Sequence, residues 1–445
     1  MAVPSNNSRL IVKSNEPEFL KKAFEVPKRS YKQQYANLYF VRLNTLKKDL
    51  VRKAKNRWSD KKAKLAHKLL DISGGHLSFG VGTVYMEMPL KPNVIDDITR
   101  EHWIEVPPPR PKYCSENDQI LLEDESGRVN LVGDILSEYK VVTGAVIAVL
   151  GKEDSEGNFH VHDICLPGIP PQVSVVTPPK ESQYVAIVSG LNFGPKSTSS
   201  ELCEFLLGYL SGNVPLGDSV PNAQKIVKLI VAGNSYDEPP PPTTYTNDPK
   251  KNPRTDVMKD LQNLDQFFTK ILESQLPIDI MPGPLDPAVY SMPQPPFMKA
   301  LLPEASKSPL LRTLTNPAWI EVNGSLLLGT SGQTINDMRK YMEIESSIGL
   351  IKNTLRWRHI APTAPDTLGK LINNSYPFIN HDPFIIEGSP RVYFVSNQPN
   401  FETDTVQGED DENIRVISVP SFSETGQLVL VDLKTLECTS ICFKG

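Results

Sequence analysis

An apolar run, "IVKLIVA" (226–232), ends in Gly233-Asn234-Ser235-Tyr236-Asp237 and then a string of prolines. In α/β proteins chemistry sits in loops beyond the carboxyl ends of strands, so this loop and its counterparts are the first places to look. A phosphate loop is one possibility, at "VSGLNFGPKS" (188–197). Such a loop needs G-x-x-x-x-G-K-[ST] so that consecutive amides cradle the phosphates. Here the spacing from Gly190 to Gly194 is one residue short, and Pro195 lacks the N–H that would donate. A serine nucleophile is a second: "GTSGQ" (329–333) has the wrong spacing for G-x-S-x-G, and its glycines read as a turn. Zinc is a third. Cys438 and Cys442 lie four apart with no second Cys or His pair nearby, short of four tetrahedral ligands, and read as two strand-borne thiols.

The fourth possibility is two-metal phosphoester hydrolysis, in which paired cations activate a water. Calcineurin-like enzymes draw the ligands from successive strand ends as D-x-H, G-D-x-x-D, G-N-H-[DE], a lone His and G-H-x-H. The order of strand ends here is similar to that plan, and the ligands are missing from it. Ser189 and Leu191 stand where D-x-H would fall, and Asn234 replaces the Asp that bridges the metals. Pro284 and Leu285 occupy the places of the Asn ligand and the catalytic His, and Asn397 and Pro399 those of two further histidines. A neutral amide cannot supply the shared negative charge that holds two cations together. From residue 183 onward the only histidines are His359 and His381. The loop is expected to keep its shape without its chemistry, with Asn234 left to packing or hydrogen bonding. No catalytic, metal-binding or cofactor-binding residue is assigned.

The elements that must position these loops follow from periodicity. Residues 1–30 are polar and aperiodic and read as flexible, and 31–70 read as helical. From 71 to 168 short strands follow one another. "QILLEDESGRVNLVG" is a hairpin turning at Ser126-Gly127, and "VVTGAVIAVLGKEDSEGNFHVHDICL" another turning near Glu156-Gly157. An insertion over about 91–117 interrupts them, and the pattern suits a small barrel of the OB type. Residues 169–182 form a Pro-rich linker, and 183–445 alternate strands with helices, including "ELCEFLLGYL" with Leu202, Phe205, Leu206 and Tyr209 on one face. A second helix carries Val257, Leu261, Leu264, Phe268 and Ile271, and a third Tyr341, Ile344, Ile348, Ile351 and Leu355. Asn323-Gly324 marks a type I′ hairpin. The expected class is α+β and α/β: an N-terminal helix, a β-barrel and a layered α/β domain with a mixed sheet. Segments 238–254 and 402–413 read as mobile.

Composition narrows the function. The chain has 445 residues, 40 prolines and a net charge of −5, so no global field favours nucleic acid or an anionic membrane. Five scattered cysteines fit a reduced compartment. The polar start has no signal-peptide core, and "VVTGAVIAVL" is far too short to span a bilayer, so a soluble intracellular protein is expected. Ten Lys or Arg against two Asp crowd residues 47–68. That run reads as the solvated face of an amphipathic helix, with a patch for nucleic acid or an acidic partner as the alternative.

A barrel joined to a phosphoesterase-like domain without metal ligands resembles the B subunits of the replicative DNA polymerases, the delta class in particular. The resemblance is carried almost end to end, by "YKQQYANLYFVRL" (31–43), "GTVYMEMPLKP" (82–92), "LIVAGNSYD" (229–237), "IDIMPGPLDP" (278–287), "LGTSGQTINDM" (328–338), "RHIAPTAPDTL" (358–368) and "DPFI" (382–385) with "VYFVSNQPNF" (392–401). The departure "LINNSY" (371–376) looks like a small insertion. The resemblance implies a nuclear, non-catalytic scaffold in DNA replication and repair synthesis, with an OB-fold and an inactive calcineurin-like domain. It implies partnership with the C-terminal cysteine-rich region of the delta catalytic subunit, and with a third delta subunit that contributes to sliding-clamp contact. DNA would be touched only indirectly or weakly, and a membrane not at all. Two rivals remain: a phosphodiesterase with unusual metal ligands, opposed by the histidine count, and a single-strand DNA-binding module acting through the barrel. Single-strand sites need stacking aromatics beside basic residues. Between 119 and 165 only Tyr139 and Phe159 are aromatic, and acidic residues outnumber basic ones.

Overall fold

The computed structural model describes residues 20, 22–26, 28–30, 32, 35–91, 110–173, 178–194, 200–214, 221–237, 253–343, 346–366, 375–408 and 412–444. The first domain contains β1 (Lys64–Leu65), β2 (Ser78–Glu87), β3 (Gln119–Glu123), β4 (Arg128–Val132), β5 (Val146–Glu153) and β6 (Asn158–Cys165). They run in the order β1-β2-β3-β4-β6-β5, and β5 pairs back onto β2 to close a barrel. Both hairpins form where the Gly turns place them, with Glu123 opposite Arg128 and Glu153 opposite Phe159. Across the barrel lies α1 (Ala36–Arg57). Its buried Leu43, Leu46, Leu50 and Ala54 form one stripe at helical spacing, packed on Phe79, Val81, Val146 and Ala148.

The second domain is a sandwich of two sheets. One is built from β7 (Tyr184–Val188), β8 (Ile226–Ala232), β9 (Ile278–Met281), β10 (Leu311–Thr313), β16 (Gln427–Asp432) and β17 (Cys438–Cys442), in the order β10-β9-β8-β7-β16-β17. The other uses β11 (Ala318–Val322), β12 (Ser325–Thr330), β13 (Val392–Gln398), β14 (Glu402–Gln407) and β15 (Asn413–Pro420), in the order β11-β12-β13-β15-β14. Val185, Ile187, Ile230, Ile320, Phe394 and Ile417 fill the space between them. Helices α3 (Ser200–Leu210) and α4 (Pro253–Glu273) cover the outer face of the first sheet; the label α2 is kept for the short helix Ile135–Tyr139 on the barrel. The outer face of the second packs against α5 (Gln333–Met338), α6 (Ser347–Arg356) and the barrel itself. Barrel residues such as Val142, Ile147 and Phe159 share one continuous core with Trp357, Ile360 and Tyr393.

Several expectations are corrected. The N-terminal helix ends at Arg57 rather than near 70, because left-handed Lys62 (φ 52°) turns the chain and Lys64 and Leu65 join the barrel sheet. Within 1–30, read as flexible, Leu20 and Phe24 are buried in the shared core; residues 1–19 lie outside those described. At the start of the Pro-rich stretch, Gly168 N–H donates to Arg356 O, and Ser389 N–H to Pro171 O. Residues 402–407, read as mobile, form edge strand β14, whose exposed Asp404 guards the edge and whose Val406 is buried. The third helix begins at Ser347 under a Ser346 cap, so Tyr341 is buried in the preceding turn and Ile344 falls outside the described residues. Phe205 is exposed on α3. The side chain of Val257, the segment 238–252, residues 92–109 of the insertion and Leu371–Asn374 also lie outside.

Candidate functional site

The carboxyl ends of β7, β8, β9, β12 and β13 converge, and they bring Ser189, Asn234, Pro284, Ser331 and Asn397 to one end of the sandwich. Most of the polar groups there bond to backbone, while the buried Asn397 Oδ1 has no hydrogen-bond partner among the described residues. Ser189 Oγ donates to Pro420 O (3.0 Å) and accepts from Asn397 N–H (3.1 Å). Asn397 Nδ2 donates to Ala232 O (3.2 Å) and Ser331 O (2.9 Å). Asn234 Oδ1 accepts from Leu285 N–H (3.1 Å). Asn234 and Asn397 both adopt φ 54°, a left-handed conformation that Asn tolerates better than most residues. The loops are also sewn together: Gly190 N–H donates to Gly233 O, Asn192 N–H to Asn234 O and Phe193 N–H to Ser235 O. Three amides of the candidate phosphate loop are therefore already used; Pro195, Lys196 and Ser197 lie outside the described residues.

The strand-end loops pack closely on one another. Gly233, at φ 87°, presses against Ser331, Gly283 and Asn397, and a Cβ at Gly190 would strike Ser421. Leu191 is fully buried in the core under α3 and α4, whereas Leu285 and Pro399 are exposed. Among the described residues no group of three His, Cys, Asp or Glu side chains is placed to hold a metal. Neutral serine and asparagine groups already bonded to backbone do not fit a divalent pair. A buried carboxylate at this end, Asp286, accepts from Tyr236 N–H (2.8 Å) and Gly283 N–H (2.7 Å) and fastens two loops. Burial without a cationic partner pushes its carboxyl up to about 7, against the opposing pull of those backbone donors.

The barrel offers little for single strands. Phe159 is fully buried, and the Tyr139 hydroxyl accepts from Arg57 (3.2 Å). The basic helix is partly tied inward: Arg57 pairs with Asp163 (2.8 Å), and Lys53 Nζ donates to Pro167 O (2.5 Å).

A polar centre lies instead where helix, barrel and sandwich meet. Arg42 of α1 has no exposed surface. Its Nε donates to Asp382 Oδ2 (2.8 Å), Nη1 to Gly144 O (3.0 Å) and Pro362 O (2.8 Å), and Nη2 to Ala364 O (2.6 Å). Asp382 Oδ2 also accepts from His359 Nε2 (2.9 Å), and His359 Nδ1 accepts from Ala361 N–H (3.1 Å). This fixes the neutral His359 tautomer. Burial and the neighbouring Arg42 charge hold its pKa down to about 4, while Arg42 and His359 hold the buried Asp382 carboxyl well below the carboxylate range. Gly144, at φ 84°, lets the barrel touch Pro362 O, where a Cβ would collide.

Two family profiles match the two halves. That of the DNA polymerase delta subunit OB-fold domain matches residues 34–164, and that of the B subunit of DNA polymerases alpha and epsilon matches 185–403. The DNA polymerase delta small subunit of Arabidopsis thaliana is 37% identical over 433 residues, covering 97% of this chain and 96% of that one. The chain belongs to the DNA polymerase delta small-subunit family. DNA polymerase delta subunit 2 of Drosophila melanogaster is 35% identical, over 96% of this chain and 97% of its own. The DNA polymerase delta small subunit of Saccharomyces cerevisiae is 35% identical, over 93% and 90%. Within this family assignment, the sequence reading missed the Arg42 centre. Its parts lie in stretches that carried the resemblance, "YFVRL", "RHIAPTAP" and "DPFI", but nothing in spacing links positions more than three hundred residues apart.

Proposed function

We propose that this chain is a non-catalytic accessory subunit of DNA polymerase delta, a scaffold acting in the nucleus during DNA replication and repair synthesis. It receives the C-terminal cysteine-rich region of the catalytic subunit and joins it to a third subunit that contributes to sliding-clamp contact. The α/β domain is an inactive relative of the calcineurin-like phosphoesterases. The observation that carries this reading is the use of Ser189, Asn234 and Asn397 as backbone fasteners at the strand ends where such enzymes keep their ligands. The rigid junction around Arg42 supports it, because a body that holds two partners in fixed relation gains from one shared core. Co-expression with the cysteine-rich segment of a delta catalytic subunit, followed by size-exclusion chromatography with light scattering, tests it. A stable one-to-one complex that excludes the equivalent alpha and epsilon segments is expected. A chain that elutes alone and carries two equivalents of metal would overturn it.

A further inference from the structure

The exposed side of α1 and the turn that follows it carry a cluster of positive charge. Lys48, Arg52 and Lys55 recur at helical spacing on the face opposite the buried stripe, and Lys61, Lys62 and Lys64 continue it into the turn and β1. All six are exposed. Among the described residues, none of the five lysines takes part in an ion pair. Arg52 reaches Asp49 at 3.3 Å, but that carboxylate is also held by the half-buried Arg358 at 3.1 Å and has little charge left to offer. Asp60 is the one other acid between 47 and 68. On a chain of net charge −5, this is a local positive field rather than a general one.

We propose that this face binds the phosphate backbone of duplex DNA. Three observations choose that partner. The exposed large apolar side chains nearest in sequence, Phe40 and Leu70, flank the lysines and none lies among them, whereas a protein partner would need an apolar or aromatic anchor at the centre of its contact. Phe40 is the one exposed aromatic on α1, short of the succession of stacking rings that a single strand requires. Five of the six charges are lysines, compact point charges on flexible stems that suit a diffuse row of phosphates better than a fixed carboxylate. Contact of this kind reads no sequence and releases counterions, so it weakens steeply with salt.

Fluorescence anisotropy of a labelled duplex, titrated with the full chain between 50 and 200 mM salt, tests the proposal. The quadruple variant Lys48→Glu, Lys55→Glu, Lys61→Glu, Lys64→Glu is compared with a control of equal net charge, Lys180→Glu, Lys299→Glu, Lys307→Glu, Lys434→Glu, at exposed lysines elsewhere. Wild-type binding is expected to fall linearly in log affinity against log salt. The patch variant should lose about tenfold or more at 50 mM and flatten that slope by up to about 3.6, since each of the four duplex phosphate contacts contributes about 0.9 to it. The control should keep the wild-type slope. Equal losses in the two variants, no salt-dependent binding by wild type, or binding of a polyglutamate peptide in place of the duplex would each overturn the proposal. Complex formation with the catalytic-subunit segment, measured on the same variants, is expected to stay intact, so this test and that of the scaffold fail separately.

Discussion

Two buried aspartates organise the two polar regions of this molecule, and they do so in opposite ways. Asp382 at the domain junction faces a guanidinium and an imidazole N–H, and stays ionised far into acid. Asp286 at the strand ends faces only backbone amides, and its carboxyl is pushed up to about 7. The first joins segments from three parts of the chain, and the second ties loops within one domain. This fold therefore places its strongest polar commitments at the seam between barrel and sandwich, not at the strand ends where enzymes of similar layout do chemistry.

The largest effect is expected at Arg42. An Arg42→Ala variant leaves the buried Asp382 without its guanidinium, held only by His359 and the Phe384 amide, and is expected to lose about 3–5 kcal/mol in urea unfolding, the cost of breaking a buried pair from one side. Ile348→Asp, which puts a carboxylate into the core shared by both domains, is expected to cost several kcal/mol by the same measurement and to abolish complex formation.

Acid separates the two regions further. The folded His359 pKa lies near 4 against an ordinary 6.5, so over that range the unfolded chain takes up a proton that the folded one refuses. The stability His359 provides is therefore complete above pH 6.5 and falls as pH drops toward 4. Asp286 acts in the other direction: its raised pKa favours the fold below 3.8, and that contribution is lost as pH rises through about 7. Urea midpoints recorded across this range should show the acid limb flattened in His359→Gln, which can still donate to Asp382.

The smallest effect is expected at the strand ends. Asn234→Ala removes one hydrogen bond and strains a left-handed position, costing about 1 kcal/mol. Polymerase activity of the assembled complex should stay within about twofold of wild type for Asn234→Ala or Asp237→Ala, less than about 0.5 kcal/mol in barrier terms.

Much of this was legible in the chain. The barrel hairpins were readable because Ser126-Gly127 and Glu156-Gly157 punctuate alternating runs, and the hairpin at Asn323-Gly324 because both residues adopt positive φ. Positions 189, 191, 234, 284, 285, 397 and 399 could be singled out because a metal plan states which residue types it needs at successive strand ends. What stayed hidden depends on tertiary placement. Lys228 sits in an otherwise apolar strand and is buried only because Asp279 of the neighbouring strand meets it at 3.1 Å. Acidic β14 looks mobile in composition and is ordered by pairing with β15. Arg42 looks like any helix cation until Gly144 of the barrel and Pro362, Ala364 and Asp382 of the second domain arrive around it.

The most direct measurement is assembly and polymerase activity of the co-expressed complex, made with Asn234→Ala/Asp237→Ala and with Arg42→Ala. The strand-end variant is predicted to form the one-to-one complex with near-normal activity, and the Arg42 variant to lose the complex as its domains come apart. A strand-end variant that assembles but loses activity, beside an Arg42 variant that retains it, would mean that the strand ends still do chemistry and that the seam is not what holds the scaffold together.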